Sequence, residues 1–291
     1  MRIHKRRNVT LGNVIIYVVL FLFMLTILIP FLNAITISFI SQEEYLVNKF
    51  TLIPKKPTLN AYQKILGEDW LLPAYTSSIT ISVLGLLYCL SINVLTAYVL
   101  TRKFPLKKFF TIFLIIPMFF SGGLIPSYLL MGKLGLKNTY GAIILPVGVT
   151  MYYLLIMMTF FRELPASLEE SARLDGASEL RILWSIYLPL SKAVLATISL
   201  FIVVGFWNDW FSALIYLDKP RRWPLQLHLR RIIDQATSSM NDRENAMKRV
   251  QVYAEGVRMA SVIVTMLPIM FIYPFLQKYF AKGVMIGAVK G

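Results

Sequence analysis

Six long stretches of the chain are apolar and almost free of charge, and this pattern constrains the fold more than any other feature. A helix needs about 20 predominantly apolar residues to cross the hydrocarbon core of a bilayer, and its backbone satisfies its own hydrogen bonds locally. The chain is 57% hydrophobic with a mean hydropathy of +0.63, so it is predicted to be an all-α integral membrane protein with six transmembrane helices. The stretches cover roughly 14–40, 74–101, 109–131, 138–161, 193–217 and 259–277.

The distribution of basic residues indicates on which side of the membrane the loops and termini lie. With a cytoplasmic N-terminus, the 30 Lys and Arg residues divide equally, 15 on each side. Leaving out the long 218–258 segment gives 15 inside against 6 outside, and short loops are the ones that govern insertion. The first apolar stretch is too long for the apolar region of a secretory signal. We therefore predict a multi-pass membrane protein with both termini cytoplasmic.

The chain offers few residues for catalysis or metal binding. Its one cysteine, Cys89, lies within a span, and its two histidines, His4 and His228, lie far apart, which excludes an ordinary zinc site. We expect His228 to be solvated in a basic loop. No phosphate-binding loop is present, and the net charge of +15 flanks the spans rather than forming a nucleic-acid-binding patch. The sequence thus predicts a protein that is not an enzyme and that binds no metal, cofactor or nucleic acid itself.

The stretch RELPASLEESARLDGASELR at 162–181, in which eight of twenty residues are charged, separates the fourth and fifth spans. Ser167, with Glu170 three residues later, predicts a capping box at a helix start. Gly176 predicts the end of that helix, since glycine tolerates the left-handed conformation. Ser178 predicts the N-cap of a second short helix. The stretch is therefore predicted to be a helix–glycine–helix segment.

Two interpretations of this segment remain open. It could be an amphipathic connector that lies among lipid headgroups, but such helices carry a mostly basic polar face. Here the polar face carries four acids against Arg173 and Arg181, which suits a protein partner better. The acids are Glu169, Glu170, Asp175 and Glu179.

The segment resembles the EAA loop of binding-protein-dependent ABC importers, which follows the pattern E-A-A-x3-G-x9-I-x-L-P. In this chain the pattern reads Glu170-Ser171-Ala172, then Gly176, then Ile186-Tyr187-Leu188-Pro189, and only Ser171 departs from it. The strings IPFLNAITISF near the N-terminus, NDW at 208–210 and YPFLQKYFAKGVMIGAVKG at the C-terminus resemble the carbohydrate-uptake branch. Within that branch they are similar to the second, maltose-type membrane subunit.

The resemblance implies a type I ABC importer permease fold in the membrane of a prokaryotic cell. It implies one domain over 1–291, with a core at about 71–281, a cytoplasmic coupling loop at 164–189 and a long extracytoplasmic loop at 218–256. The implied partners are a second homologous permease subunit, two cytoplasmic ATPase subunits that hold ATP and Mg²⁺, and an extracytoplasmic binding protein that delivers a sugar or oligosaccharide. The residues implied to couple to the ATPase are Glu169, Glu170, Ser171, Ala172, Arg173, Asp175, Gly176, Leu188 and Pro189.

Asp209 is the one acid inside the predicted spans, where an ionisable residue indicates function by default. The string WNDW at 207–210 would suit a sugar, because rings stack on its apolar face and polar groups bond its hydroxyls. The same string is also typical of a tryptophan belt at the membrane boundary, and polar residues elsewhere in the spans can hold helices together. The candidate substrate-path residues are Asn93, Tyr152, Tyr153, Trp207, Asn208, Asp209 and Trp210.

The arginines of the 218–256 loop suit an acidic docking surface on the binding protein, or else an anionic cargo such as a uronate oligomer. Two rival functions also remain: an ABC permease for amino acids, peptides or phosphate, and a membrane scaffold without transport. The spacing of the EAA loop argues against the scaffold. The loop arginines are Arg221, Arg222, Arg230 and Arg231.

Overall fold

The computed structural model describes residues 11–241 and 254–288, with side chains placed up to residue 234, from 255 to 272 and at 274. The predicted all-helical fold is confirmed over these residues, with short 3₁₀ turns at Leu145–Val147 and Pro220–Arg222 and a π-helical turn at Leu183–Tyr187. In chain order the helices are α1 (Leu11–Phe39), α2 (Gln42–Val47), α3 (Asn60–Leu66), α4 (Leu71–Thr101), α5 (Lys107–Phe119), α6 (Leu124–Lys133), α7 (Gly141–Ile144), α8 (Met151–Arg162), α9 (Ala166–Leu174), α10 (Glu179–Ile182), α11 (Leu188–Leu190), α12 (Lys192–Asn208), α13 (Phe211–Tyr216), α14 (Leu225–Asn241) and α15 (Ala254–Ala288).

Only some of the predicted membrane spans are single, unbroken helices in the structure. By length and composition, α1, α4 and the Glu255–Ile272 part of α15 can each cross a membrane. Three further candidates are bent pairs, which bring the count to six if each pair is one span. The bends are 116° between α5 and α6, 47° between the α7 segment and α8, and 84° between the segment that ends at Leu190 and α12.

The predicted fifth span, 193–217, is interrupted. Helix α12 ends at Asn208, and α13 begins at Phe211. Between them, the Asp209 carboxylate accepts a hydrogen bond from the Ser212 backbone N–H at 3.0 Å. Aspartate side chains satisfy free N–H groups at helix starts, so Asp209 supports the start of α13 at a place where the sequence predicted a continuous span.

The described residues form two compact units. The first takes the described residues up to Glu68 and those between Ile232 and Val264. In it, the Ser38 and Tyr62 hydroxyls are hydrogen-bonded at 2.8 Å, and the Phe39 carbonyl accepts from the Thr58 N–H at 2.6 Å. These bonds hold the connection after α1 against α3. The single permease domain inferred for the chain stays a prediction.

The second unit takes Asp69–Arg231 and the described residues from Thr265 onward. Helix α4 is its centre and packs against both α8 and α12. Close approach of α4 and α12 depends on Gly85, because a Cβ there would lie 2.4 Å from the Phe206 ring. The core includes Ile81, Leu154, Met157, Phe161 and Ile198, all buried. Helices α4, α8 and α12 therefore share one packed core.

Candidate functional site

The helix–glycine–helix prediction is confirmed for the loop between α8 and α12. Gly176 has φ +75°, and it separates α9 from α10. The Gly176 N–H donates to the Arg173 carbonyl at 3.0 Å, and the Ala177 N–H donates to the Ala172 carbonyl at 2.9 Å. This bonding is the Schellman motif, which satisfies the last carbonyls of α9. A Cβ at Gly176 would meet nothing within 4 Å, so the backbone conformation, not space, selects glycine.

The two predicted helix caps have opposite outcomes. Ser178 is confirmed as the N-cap of α10, and its hydroxyl accepts from the Arg181 N–H at 3.4 Å. The predicted capping box at Ser167 is wrong, because α9 already begins at Ala166 with Pro165 at its N-cap position. The proline ring fixes φ near the helical value and starts the turn before Ser167. Glu170 is therefore not used as a capping residue.

Glu169 is the centre of a charged network that sequence reasoning missed. Its Oε1 forms an ion pair with Arg102, at the end of α4, and a second with Arg173 at 2.9 Å. Its Oε2 accepts from the Tyr187 hydroxyl at 2.7 Å. Each bond comes from a different part of the unit, so Glu169 ties α9 to α4 and to the π-helical turn.

Glu179 extends this network from the start of α10. Its carboxylate pairs with Arg173 at 2.5 Å, lies 3.7 Å from the Arg102 Nε, and accepts from the Tyr98 hydroxyl at 2.7 Å. The Arg102 guanidinium lies over the Tyr98 ring at 4.2 Å. We call this set the clasp, and its members are Tyr98, Arg102, Glu169, Arg173, Glu179 and Tyr187.

The clasp keeps Glu169 ionised. Burial alone raises the pKa of this carboxyl, whose side chain is 17% exposed, but hydrogen bonds from Arg102, Tyr187 and Arg173 outweigh burial and lower the pKa to about 2. Arg102, at 20% exposure, still has Nε and Nη2 buried without a hydrogen-bond partner among the described residues. The clasp therefore holds a full negative charge against Arg102 at neutral pH.

The other side of the loop is open. Glu170 is exposed, and its side chain makes no hydrogen bond or ion pair with another residue that the structure describes. Leu174 is 89% exposed, and Leu180 and Trp184 are also exposed. Of the other residues predicted to couple, Ser171, Asp175 and Pro189 are exposed, whereas Ala172 and Leu188 pack against the core. The nine predicted residues thus divide between an inner and an outer side of the loop.

Two of the predicted substrate-path residues hold the fold together. The buried Asn93 side chain donates to the Gly148 carbonyl at 2.8 Å and accepts from the Thr150 N–H at 3.2 Å. These backbone groups lie in the irregular stretch before α8, where no helix satisfies them. The buried Trp207 donates through Nε1 to the Thr265 carbonyl at 3.3 Å. Both side chains are used by the protein itself.

The remaining substrate-path residues are spread around α12 and α8. Asn208 accepts from the Gln226 amide at 3.2 Å, and Trp210 is half-buried with Arg230 over its ring at 5.1 Å. Tyr152 is exposed, whereas Tyr153 is half-buried. Tyr153 and Asp209 line the same cavity.

The arginines of the 218–256 loop lie on its described part, and residues 242–253 are outside the described residues. Arg222 donates to the Asn138 carbonyl, and Arg231 lies over the Trp223 ring at 3.7 Å. Arg221 is exposed. The expectation of a solvated His228 is wrong: its ring stacks on Trp70 at 4.5 Å, and burial lowers its pKa to about 4.

Comparison with known proteins identifies the family. Residues 94–286 match the family described as "Binding-protein-dependent transport system inner membrane component". The chain is 37% identical over 282 residues to the polygalacturonan/rhamnogalacturonan transport system permease protein YtcP of Bacillus subtilis (strain 168), covering 97% of this chain and 99% of the relative. It is 42% identical over 268 residues to protein LplC of the same organism, covering 91% of this chain and 90% of LplC.

A solved structure extends the similarity to three dimensions. The fold matches a chain of a bacterial ABC transporter involved in the import of the acidic polysaccharide alginate, with a TM-score of 0.82 and 27% identity. The match covers 96% of this chain and 100% of the other. Sequence and fold therefore agree, and the chain belongs to the binding-protein-dependent transport system inner membrane components, as a carbohydrate-uptake ABC permease subunit.

Proposed function

We propose that α9 and α10 form the docking element through which a cytoplasmic ATPase subunit drives this permease. This proposal rests on the different environments of two adjacent acids. The Glu169 carboxylate is bonded within the clasp and connects the loop to α4, whereas Glu170 is exposed. Because helix positions one apart face different directions, the loop is anchored on one side and open on the other.

The exposed apolar residues support a protein partner for the open side. Leu174, Leu180 and Trp184 are exposed on a loop that otherwise carries many charges. Large apolar side chains of this kind act as anchors that fill pockets on a partner. A carboxylate such as Glu170 at the edge of the contact would pair with a basic residue of the ATPase.

The proposed mechanism follows from the packing. Closure of two ATPase subunits around ATP moves the docked loop, and the clasp passes this movement to α4. Since α8 and α12 pack on α4, the three helices shift together and open the path to the opposite side. ATP and Mg²⁺ bind the ATPase subunits in this scheme, and a second permease subunit completes the path. The loop and both termini then lie in the cytoplasm; residues 1–10 and 289–291 are outside the described residues.

The test uses the importer reconstituted with its second permease, ATPase and binding-protein subunits. Glu170→Lys reverses the charge on the open side, and we expect it to lower binding-protein-stimulated ATP hydrolysis by about ten-fold or more, the scale of a lost interfacial charge pair. Glu163→Lys is the matched control, since Glu163 is an exposed acid in the same connection but precedes α9. Stimulated hydrolysis at the wild-type level in Glu170→Lys would contradict the docking proposal.

A second candidate concerns the cargo, and we propose an acidic oligosaccharide. YtcP is named for polygalacturonan and rhamnogalacturonan, and the matched solved transporter imports the acidic polysaccharide alginate. Specificity is tested on the cognate binding protein by calorimetry against matched panels of neutral and uronate oligosaccharides. Tighter binding of the uronate panel supports the acidic cargo, and exclusive binding of neutral sugars contradicts it.

The loop arginines allow a further distinction. We propose that Arg221 and Arg231 help dock the binding protein, since both side chains are exposed. Their replacement by Gln should weaken binding-protein affinity and its salt dependence while leaving the order of sugar preference unchanged. A changed preference between neutral and acidic cargo would assign these arginines to cargo recognition instead.

A further inference from the structure

A half-open cavity of about 210 Å³ lies in the second unit, between α4, the start of α8 and α12. It begins near the middle of α4 at Cys89 and reaches the break after α12 at Asp209. Its wall combines aromatic rings, a thiol and one carboxylate. The lining residues include Cys89, Val147, Tyr153, Gly205, Phe206 and Asp209.

Two interruptions of helical structure border this cavity. One is the irregular stretch at 148–150, next to the lining residue Val147, and the other is the break at Asp209. Irregular backbone at membrane depth is tolerated only where it is buried in protein or lines a cavity. Asn93 supplies the bonds that the 148–150 stretch lacks, so this break is a stable part of the fold. Transporters place cargo at such breaks.

The wall chemistry fits a sugar ring. The Tyr153 ring lies nearly parallel to Phe201, with centroids 6.4 Å apart, which fixes a flat aromatic surface. The Asp209 carboxylate uses Oδ1 for the Ser212 N–H. Its second oxygen has no hydrogen-bond partner among the described residues. A carboxylate oxygen accepts strong, charge-assisted hydrogen bonds from hydroxyl groups.

The size of the cavity limits what it holds. Pockets for drug-sized ligands measure about 300–1,000 Å³, and 210 Å³ is smaller. One ring of an oligosaccharide fits this scale, with the rest of the cargo outside. Space is available beside Gly205, where a Cβ would meet nothing within 4 Å.

We propose that this cavity holds one ring of the cargo during translocation, with Tyr153 as its stacking surface and Asp209 as acceptor for its hydroxyls. The inference rests on the proposed carbohydrate import and adds that this subunit contacts the cargo directly. Because two carboxylates repel, an acidic cargo is held at Asp209 through hydroxyl groups, with its own carboxylate directed away.

The main test fills the cavity without disturbing the fold. Gly205→Leu adds a side chain into open space, and leucine is a better helix former than glycine. Gly12→Leu is the matched control, because Gly12 lies in a candidate membrane helix and its Cβ would also meet nothing within 4 Å.

The readouts are cargo uptake and ATP hydrolysis by the complete reconstituted importer with loaded binding protein. We expect Gly205→Leu to lower uptake about ten-fold or more while stimulated hydrolysis stays within about two-fold of wild type, so that uptake per ATP falls. Gly12→Leu should keep both rates. Wild-type uptake per ATP in Gly205→Leu overturns the proposal. A wild-type importer that moves no carbohydrate would instead contradict the proposed function.

Asp209→Asn gives an independent test, which can be carried out even if the importer with Gly205→Leu does not assemble. The asparagine oxygen can still accept from the Ser212 N–H, so the start of α13 is preserved while the charge is lost. We expect about a ten-fold loss of uptake, the scale of one hydrogen bond to a charged group. Asp218→Asn, an exposed acid beyond α13, is the control. Unchanged uptake in Asp209→Asn would remove Asp209 from the cargo site.

Discussion

Replacement of Arg102 by methionine is the sharpest perturbation of the clasp. Methionine keeps a long side chain beside Tyr98 and Tyr187 but removes the ion pairs with Glu169 and Glu179. The loop then keeps its own helices, because the Gly176 turn and the Ser178 cap involve no Arg102 atom. What is lost is the ionic part of the attachment of the loop to α4, whereas the hydrogen bonds from Tyr98 to Glu179 remain.

The magnitude follows from Glu169. Its pKa falls from 4.5 to about 2, which corresponds to a preference of about 3 kcal/mol for the ionised form. Arg102 supplies part of this preference for the ionised form, and the hydrogen bonds from Arg173 and Tyr187 remain in the variant. We therefore expect Arg102→Met to weaken the attachment of the loop to α4 by about 1–3 kcal/mol. Because the folded pKa is depressed, this contribution is present above pH 4.5 and is lost as the pH falls through about 2. An assay near neutral pH measures it in full.

The assay compares ATP hydrolysis with uptake in the reconstituted importer. We expect Arg102→Met to retain assembly and basal hydrolysis but to lose most of the uptake per ATP, since the docked loop is then held to α4 without its ion pairs and passes on less of its movement. Lys103→Met is the matched control, because Lys103 is the adjacent base and lines the same cavity as Arg102 and Glu169. Restoration of coupling by the charge-swapped pair Arg102→Glu with Glu169→Arg would support the ion pair directly. Normal uptake per ATP in Arg102→Met would refute the role of the clasp.

Three further predictions concern the fold around the site. Asn93→Leu leaves two buried backbone groups of the 148–150 stretch without partners, and we expect a loss of roughly 2–5 kcal/mol, seen as a lower melting temperature in detergent. Gly85→Ala places a methyl group against the Phe206 ring and should cost about 1–3 kcal/mol in the same assay; an unchanged melting temperature would contradict the close approach. Burial lowers the pKa of His228 from 6.5 to about 4, so neutral His228 stabilises the fold above pH 6.5, and this stability is lost as the pH falls through about 4. His228→Phe keeps a flat ring beside Trp70 and should abolish this part of the pH dependence of the melting temperature.

The features that the sequence predicted correctly are local ones. Gly176 and Ser178 act through their own backbone neighbourhood, so composition and spacing were enough to predict a turn and a cap. The Ser167 cap failed for an equally local reason, since Pro165 starts α9 first. Apolar runs predicted helices at membrane scale, but they did not show the bend between α5 and α6 or the break between α12 and α13.

The features that the sequence did not reveal depend on distant contacts. Arg102 and Glu169 are 67 residues apart, and no periodic pattern pairs them. The one sequence feature that could have indicated this pair is that Arg102 follows an apolar span, on the same predicted side of the membrane as the acid-rich loop. His228 likewise looked solvated in a basic segment, whereas stacking on Trp70, far earlier in the chain, half-buries it. Such pairings follow only from the packing of the helices.

Docking of the loop to the ATPase is tested most directly by photo-crosslinking. Cys89→Ala removes the single cysteine of the chain. Leu174→Cys then introduces a new thiol at a loop position that is 89% exposed, and this thiol is labelled with benzophenone-maleimide. Val47→Cys, 86% exposed and outside the loop, carries the same probe as control. We expect light to join the ATPase subunit to the probe at position 174 and not to the probe at position 47. An ATPase adduct at position 47 with none at position 174 would contradict it.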